Sequence, residues 1–386
     1  MREQKWMAQH YFIFFLSWGI FLPYWTGYLV HEKDVAIELA SMMMSAGLIL
    51  RGISTMFIFP AMANRFSQST VLTIFIYGSF LTSVLFIFTS DTTLLFILTC
   101  LLSFFLPAIM PGLDSTAGIL VQKYNIHYGR SRSYGSLGFI VSVIIVSLVS
   151  ALYGDDQSML WLMIAYTLLL VAVNLQRVPE ALKEKPNKKV NNVSFKTIFK
   201  TRHFVFILIL VTLIQGSHAA YYNYGYLYLE HLEVPKYLIG IVINVGVGFE
   251  IFLFAIADRV FSKWSPAKLL VLASIGASLR WLLAFAVPNA WIFTASQSLH
   301  ALSFAVSHFA FIMYLAKELE YTQITKAQGI YSAFALSWGT AILTVISGYF
   351  YNTQPNFAFA AMFVFTLPAL VGSLYLYKKT KATENI

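Results

Sequence analysis

Charge is what this chain has least of. Only 11% of its 386 residues are charged, against ~25% in a soluble domain, and 58% are hydrophobic, with mean hydropathy +0.70. A chain this apolar over its whole length is a polytopic helical membrane protein. Cysteine is nearly absent. The single Cys100 excludes an intramolecular disulfide and most cysteine-based metal sites. There is no GxxxxGKS/T phosphate loop, no HExxH, no CxxC pair and no GxSxG, so nothing marks ATP hydrolysis or another enzyme chemistry. The regular arginine ladder of a voltage sensor is missing too. The expectation is a protein that is not an enzyme and holds no cofactor or metal. The formal net charge of +9 would suggest a nucleic-acid partner in a soluble chain; here its placement in loops explains it, and no nucleic acid is expected.

What the chain does have is hydrophobic runs of membrane length. Crossing ~30 Å of hydrocarbon takes ~20 helical residues. Twelve runs meet that test, at 8–30, 38–62, 69–89, 93–122, 132–153, 157–177, 204–229, 236–257, 267–287, 290–316, 325–351 and 356–377. Each is expected to be a helix, because an open strand leaves its backbone unsatisfied in lipid. The opening MREQKW and the run behind it read as the first membrane helix, since that run is too long for a signal-peptide core and no small-residue cleavage site follows.

Of the 26 Lys and Arg, 22 lie at one set of helix ends; the opposite loops hold only Lys33 and Lys236, and Arg51 and Arg280 fall within helices. The basic side is the cytoplasmic one, so both termini are expected there, in a bacterial cytoplasmic membrane. The polar stretch 178–203, VPEALKEKPNKKVNNVSFKTIFKTRH, reads as a cytoplasmic linker between two six-helix bundles, 1–177 and 204–386. Its basic end either rests on anionic headgroups or is simply solvated. A weak internal repeat agrees with two halves. FPAMANRFSQS at 59–69 carries Arg65, and FAIADRVFSKW at 254–264 carries Asp258 and Arg259, at the same point of each half. Repeats of this kind belong to transporters whose site lies between the halves.

Ionisable groups inside membrane helices are costly and usually face a protein interior or a water-filled path. This chain places five there, Arg51, Asp114, Arg132, Glu250 and Arg280, along with His218, His300 and His308. The plain reading of each is a packing partner or a snorkelling end-of-helix charge. Arg132 also suits an interfacial anchor, and His308 a packing histidine. Three arginines against two carboxylates leave excess positive charge in a low dielectric, which a carboxylate substrate would balance. A carboxylate that pairs with arginine and is then released can load and unload a proton; Glu250 is the better candidate by depth. His218, Tyr221 and Tyr222 fall at i, i+3 and i+4 and share a face. With Tyr24 and Trp25, just after Pro23, they are candidates to stack on a ring-bearing substrate, the interfacial aromatic belt being the alternative. Pro107, Pro111 and Gly112, and then Gly135 and Gly138, allow kinks and close packing.

Twelve helices, a basic central linker and NR/DR loops after helices 2 and 8 resemble the major facilitator superfamily, although the family's leading loop glycine is Pro60 in one half and Phe254 in the other. Asp114 followed by GRSR at 129–132 resembles the lactose/proton symporter group, in which an acid on helix 4 and an arginine on helix 5 bind substrate as a pair. Arg280 and His300 match that group's helix 9 arginine and helix 10 histidine. Two departures stand out: Ser303 occupies the place of that group's proton-carrying glutamate, and its helix 8 glutamate lies earlier than Glu250. The chain is more similar, over nearly its whole length, to 3-phenylpropionate permeases. The matching stretches are SWGIFLPYW at 17–25, AGLILR at 46–51, YGRSRSYGS at 128–136, QGSHAAYY at 215–222, GVGFEIFLFA at 246–255 and AQGIYSAFA at 327–335.

The resemblance implies a monomeric carrier that takes up a small aromatic carboxylate with protons by alternating access. Arg51 or Arg280 would hold the carboxylate, and His218, Tyr221 and Trp25 its ring. Glu250, with His300 and Asp114, would handle the proton, Asp114–Arg132 would form a gating or substrate pair, and Arg65, Asp258 and Arg259 would act in the gating loops. Rival expectations are a sugar or nucleoside symporter, a multidrug exporter and a non-transporting membrane sensor or scaffold. Gly135 and Gly138 lack the following proline of the antiporter type, and no soluble domain supplies a partner surface.

Overall fold

The structure, a computed structural model, describes residues 2–184, 194–261 and 263–384. Among these the chain is helical, with no strand, and twelve helices are long and apolar enough to cross a membrane. They are α1 Arg2–His31, α2 Ile37–Ala63, α3 Gln68–Phe88, α4 Thr92–Tyr124, α5 Tyr128–Tyr153, α6 Gln157–Asn174, α7 Phe204–His231, α8 Lys236–Ala257, α9 Pro266–Ala286, α10 Ala290–Glu318, α11 Lys326–Thr353 and α12 Phe357–Ala382. The helix of α8 continues to Phe261.

Local chemistry starts and stops these helices where the sequence supplies caps. The side chains of Ser67, Asp91, Ser265 and Asn289 accept from backbone N–H groups in the first turns of α3, α4, α9 and α10. Left-handed Asn125 ends α4 and Gly154, at φ 75°, ends α5. Within the spans, serine and threonine hydroxyls mostly donate back to carbonyls of the preceding turn, for example Thr82 to Gly78 and Ser274 to Leu270. No polar hydrogen of theirs is then left facing lipid.

The chain divides into two compact units. Unit 1 comprises Met1–Val190 with Pro235–Ile241; unit 2 comprises Asn191–Val234 with Val242–Ile386. The boundary falls inside the stretch read as a linker, of which residues 185–193 lie outside the described residues. In unit 1, α1 is the most enclosed span, 78% buried, and it crosses α5 at glycines. A Cβ on Gly138 would land on the carbonyl of Phe12, and one on Gly19 would meet Ser142. Ser142 donates to Leu16 O at 2.6 Å, and Tyr24 to Val143 O at 3.1 Å. At one end of this unit the buried Asp156 binds His31 at 2.7 Å and Lys236 at 2.8 Å. In unit 2, α7 takes the enclosed place, 72% buried, and meets α11 where Gly216 faces Gly339.

Several helices depart from regular α geometry. α4 breaks into a turn at 106–108 around Pro107, and α7 breaks at Ser217–His218. π-helical turns run over Ser54–Ile58 in α2, Ala301–Val306 in α10 and Phe334–Trp338 in α11.

Candidate substrate and proton site

Unit 2 gathers five of the residues singled out in the sequence. Arg280, on α9, is fully buried. It donates from Nη1 to His300 Nδ1 at 2.8 Å and from Nη2 to Gln297 Oε1 at 2.5 Å. Its guanidinium lies 4.6 Å from the ring centre of Tyr221 and 4.5 Å from that of Trp281, so aromatic faces replace part of the lost hydration. Among the described residues no carboxylate lies within ion-pair distance of it.

A guanidinium only donates, so His300 must accept at Nδ1. The ring proton then sits on Nε2, which faces Glu250 Oε2 at 3.3 Å. The hydrogen bonds of Arg280 to Gln297 and to His300 therefore each have a fixed direction, and the remaining ring proton of His300 lies on the side of Glu250. Glu250 reaches this position because of Gly246. A Cβ there would stand 3.3 Å from His300 Cβ, so glycine lets α8 lie close against α10. Glu250, four residues on, falls on the same helix face. His300 itself sits where α10 changes from the 3-10 turn Gln297–Leu299 to the π turn Ala301–Val306. Such irregular turns recur at functional sites because they re-aim side chains.

His218 occupies the break in α7. Its Nδ1 faces the carbonyls of Ile214 and Gln215, each at 3.1 Å, and so carries the proton; its Nε2 accepts from Ser303 at 3.0 Å. The ring is 5.3 Å from that of His300 and 5.4 Å from that of Trp281. Trp281 in turn donates to Ser217 at 2.8 Å. His308 stands apart from this group, 3.2 Å from Tyr331 Oη.

Unit 1 holds a second polar group. Asp114 Oδ1 accepts from Tyr11 at 2.6 Å and from Tyr128 at 3.1 Å. Arg132, expected beside it, makes no ion pair with it. Its guanidinium lies over Phe15 at 4.5 Å and near Tyr11 at 5.8 Å. Gly135 leaves the room for this, since a Cβ there would run into Phe15. Gln4 fastens the α4–α5 loop, accepting from His127 N at 2.7 Å and donating to His127 O and Ser131 Oγ. Arg51 is half-buried, 5.2 Å from the Trp18 ring, and precedes the π turn of α2. Trp25 is fully enclosed, packed on Phe86 at 5.0 Å and Tyr28 at 4.8 Å, which leaves no face for a ligand in this conformation. Arg65 and Arg259 are exposed at helix ends, and the side chain of Asp258 lies outside the described residues.

Sequence reasoning did not assign roles to Gln297, Trp281, Tyr11 or Tyr128. A polar run, Ser296–Gln297–Ser298, inside an apolar helix signals the first. The tyrosines reach Asp114 only through the crossing of α1, α4 and α5, which no spacing announces.

Twelve spans in two compact units, with a buried arginine and histidine beside a half-buried carboxylate inside one of them, define a membrane transporter of the major facilitator fold. The chain belongs to the MFS_1 like family, whose profile matches residues 5–361. It is 26% identical to a probable 3-phenylpropionic acid transporter of Escherichia coli (strain K12), over 96% of this chain and 97% of that one. It is 25% identical to a maltose permease of Geobacillus stearothermophilus, over 95% of this chain and 92% of that one. The nucleoside transporter NupG superposes with TM-score 0.80 at 16% identity, covering 99% of this chain and 100% of that one. A peptide transporter POT superposes with TM-score 0.77 at 13% identity, covering 98% and 94%. The protein is therefore a multi-pass membrane transporter of small molecules and not an enzyme.

Proposed function

We propose that this chain is a proton-coupled symporter that imports a small organic anion, an aromatic carboxylate such as 3-phenylpropionate, by alternating access. The observation that carries the reading is Arg280. A fully buried guanidinium without a carboxylate partner is unfavourable in a low dielectric, and a substrate carboxylate is the group that would complete it. Tyr221, Trp281 and His218 surround it with the aromatic faces an arene would stack on. The relative in Escherichia coli, named for an aryl carboxylic acid, supports the same class.

Glu250 is the proton carrier in this scheme. A carboxylate loads and unloads a proton at one oxygen without changing shape, and His300 Nε2–H stands beside that oxygen. Asp114, held by Tyr11 and Tyr128, and Arg51 are secondary members, and Arg65 and Arg259 act at the inner helix ends. The carrier works as a monomer in a bacterial cytoplasmic membrane. The test is uptake of labelled 3-phenylpropionate into proteoliposomes with and without an inward proton gradient. Because a weak acid crosses bare lipid, protein-free liposomes are the control. Accumulation that depends on both protein and gradient is expected; none above the control overturns the reading. The maltose permease relative favours a second reading, a neutral sugar as substrate. Competition by maltose but not by the aromatic acid would select it.

A further inference from the structure

We propose that Gln297 is an internal stand-in for the substrate carboxylate, and that the Nε/Nη2 edge of Arg280 is the fork from which the substrate displaces it. The inference rests on the anion reading above and assigns which atoms receive the carboxylate and what must leave first. The rings of Tyr221 and Trp281 lie 4.6 Å and 4.5 Å from the Arg280 guanidinium. A carboxylate oxygen bonds a guanidinium in its plane, along an edge, because its N–H groups point that way. The Nη1 side is taken by His300 Nδ1. The opposite edge presents Nε–H and Nη2–H side by side, the geometry that accepts a carboxylate bidentately. In this structure that edge is half satisfied. Gln297 Oε1 takes Nη2 at 2.5 Å, while Nε is buried and has no hydrogen-bond acceptor among the described residues.

Gln297 is fixed in the role of acceptor. Its Nε2 donates to Phe293 O at 3.0 Å, which turns Oε1 toward the arginine and makes the reversed amide untenable. The side chain is wholly buried. Gln297 Oε1 meets Nη2–H alone and leaves Nε–H without an acceptor among the described residues; a carboxylate sets one oxygen on each N–H and adds charge. The exchange of Gln297 for a carboxylate therefore gains one hydrogen bond and the ion pair. A neutral amide of the same shape gains neither. Gln297 sits in the 3-10 turn that precedes His300, a segment already off regular α geometry and so able to yield the amide without unwinding the helix.

The experiment is calorimetric titration of the purified full-length protein in detergent with 3-phenylpropionate and, separately, with 3-phenylpropionamide. Three proteins are compared: wild type, Gln297→Ala and Gln297→Glu. Gln297→Ala removes the competitor and should lower the Kd for the acid by about tenfold, which would be about 1.4 kcal/mol. Gln297→Glu places a permanent carboxylate on the fork and should raise it by at least as much. The amide should bind none of the three measurably. Opposite shifts separate the proposal from misfolding, which weakens binding in both variants; a shared loss of affinity overturns it. If wild type binds the acid and both variants match it, the fork assignment fails while the anion reading stands. If wild type binds neither probe but takes up maltose, the anion reading fails and the fork assignment falls with it.

Discussion

In the proposed scheme Arg280 holds the substrate and Glu250 carries the proton, and a substitution at Glu250 tests the second task. Glu250→Gln keeps the shape and an acceptor for His300 but cannot release a proton. Gradient-driven uptake should be lost while equilibrium exchange of labelled for unlabelled substrate persists; unchanged active uptake would remove Glu250 from coupling. Ser303 has a structural task. Its hydroxyl is the donor to His218 Nε2 inside the bundle. Ser303→Ala leaves that nitrogen buried and unsatisfied, at a cost of about 1–3 kcal/mol, read as a lower thermal-unfolding midpoint in detergent. Arg280, His300, Glu250 and His218 were legible in the sequence because charge inside an apolar run is conspicuous. The directions of their hydrogen bonds were not, since these depend on which nitrogen of each ring meets a carbonyl or a guanidinium.

Helices were the most legible level, for their length and apolarity leave one backbone solution in lipid. Their irregular turns were not legible. No periodic reading marks the π turn Ala301–Val306 or the break at Ser217–His218, yet both aim site residues. Glycines at crossings were visible only as candidates. The structure selects Gly138, where any side chain meets the backbone of Phe12, and Gly246, where it meets His300. Gly246→Val should push α8 off α10 and part Glu250 from His300. Coupled uptake is then expected to fall while binding of the acid to Arg280, followed by titration, is retained. If coupling survives, the close approach of α8 to α10 is not what positions Glu250.

At the level of the whole chain, the distribution of lysine and arginine predicts the orientation. It is directly testable because the native chain has one cysteine. In a Cys100→Ser background, cysteines at Lys33 or Asp155 should react with a membrane-impermeant maleimide from outside intact cells. One at Lys183 should react only after permeabilisation. The reverse pattern would invert the topology. The same skew has a consequence for cargo. With 22 of 26 basic residues at one set of helix ends, Arg65, Arg130 and Arg259 exposed among them, an anion imported to that side as proposed would emerge into a positive potential. At physiological ionic strength that potential is screened over about 8 Å, and in dilute buffer it reaches further. Under the proposed import the exit would act as a shallow electrostatic trap, and departure of a charged cargo, unlike that of a neutral one, should quicken as salt is added.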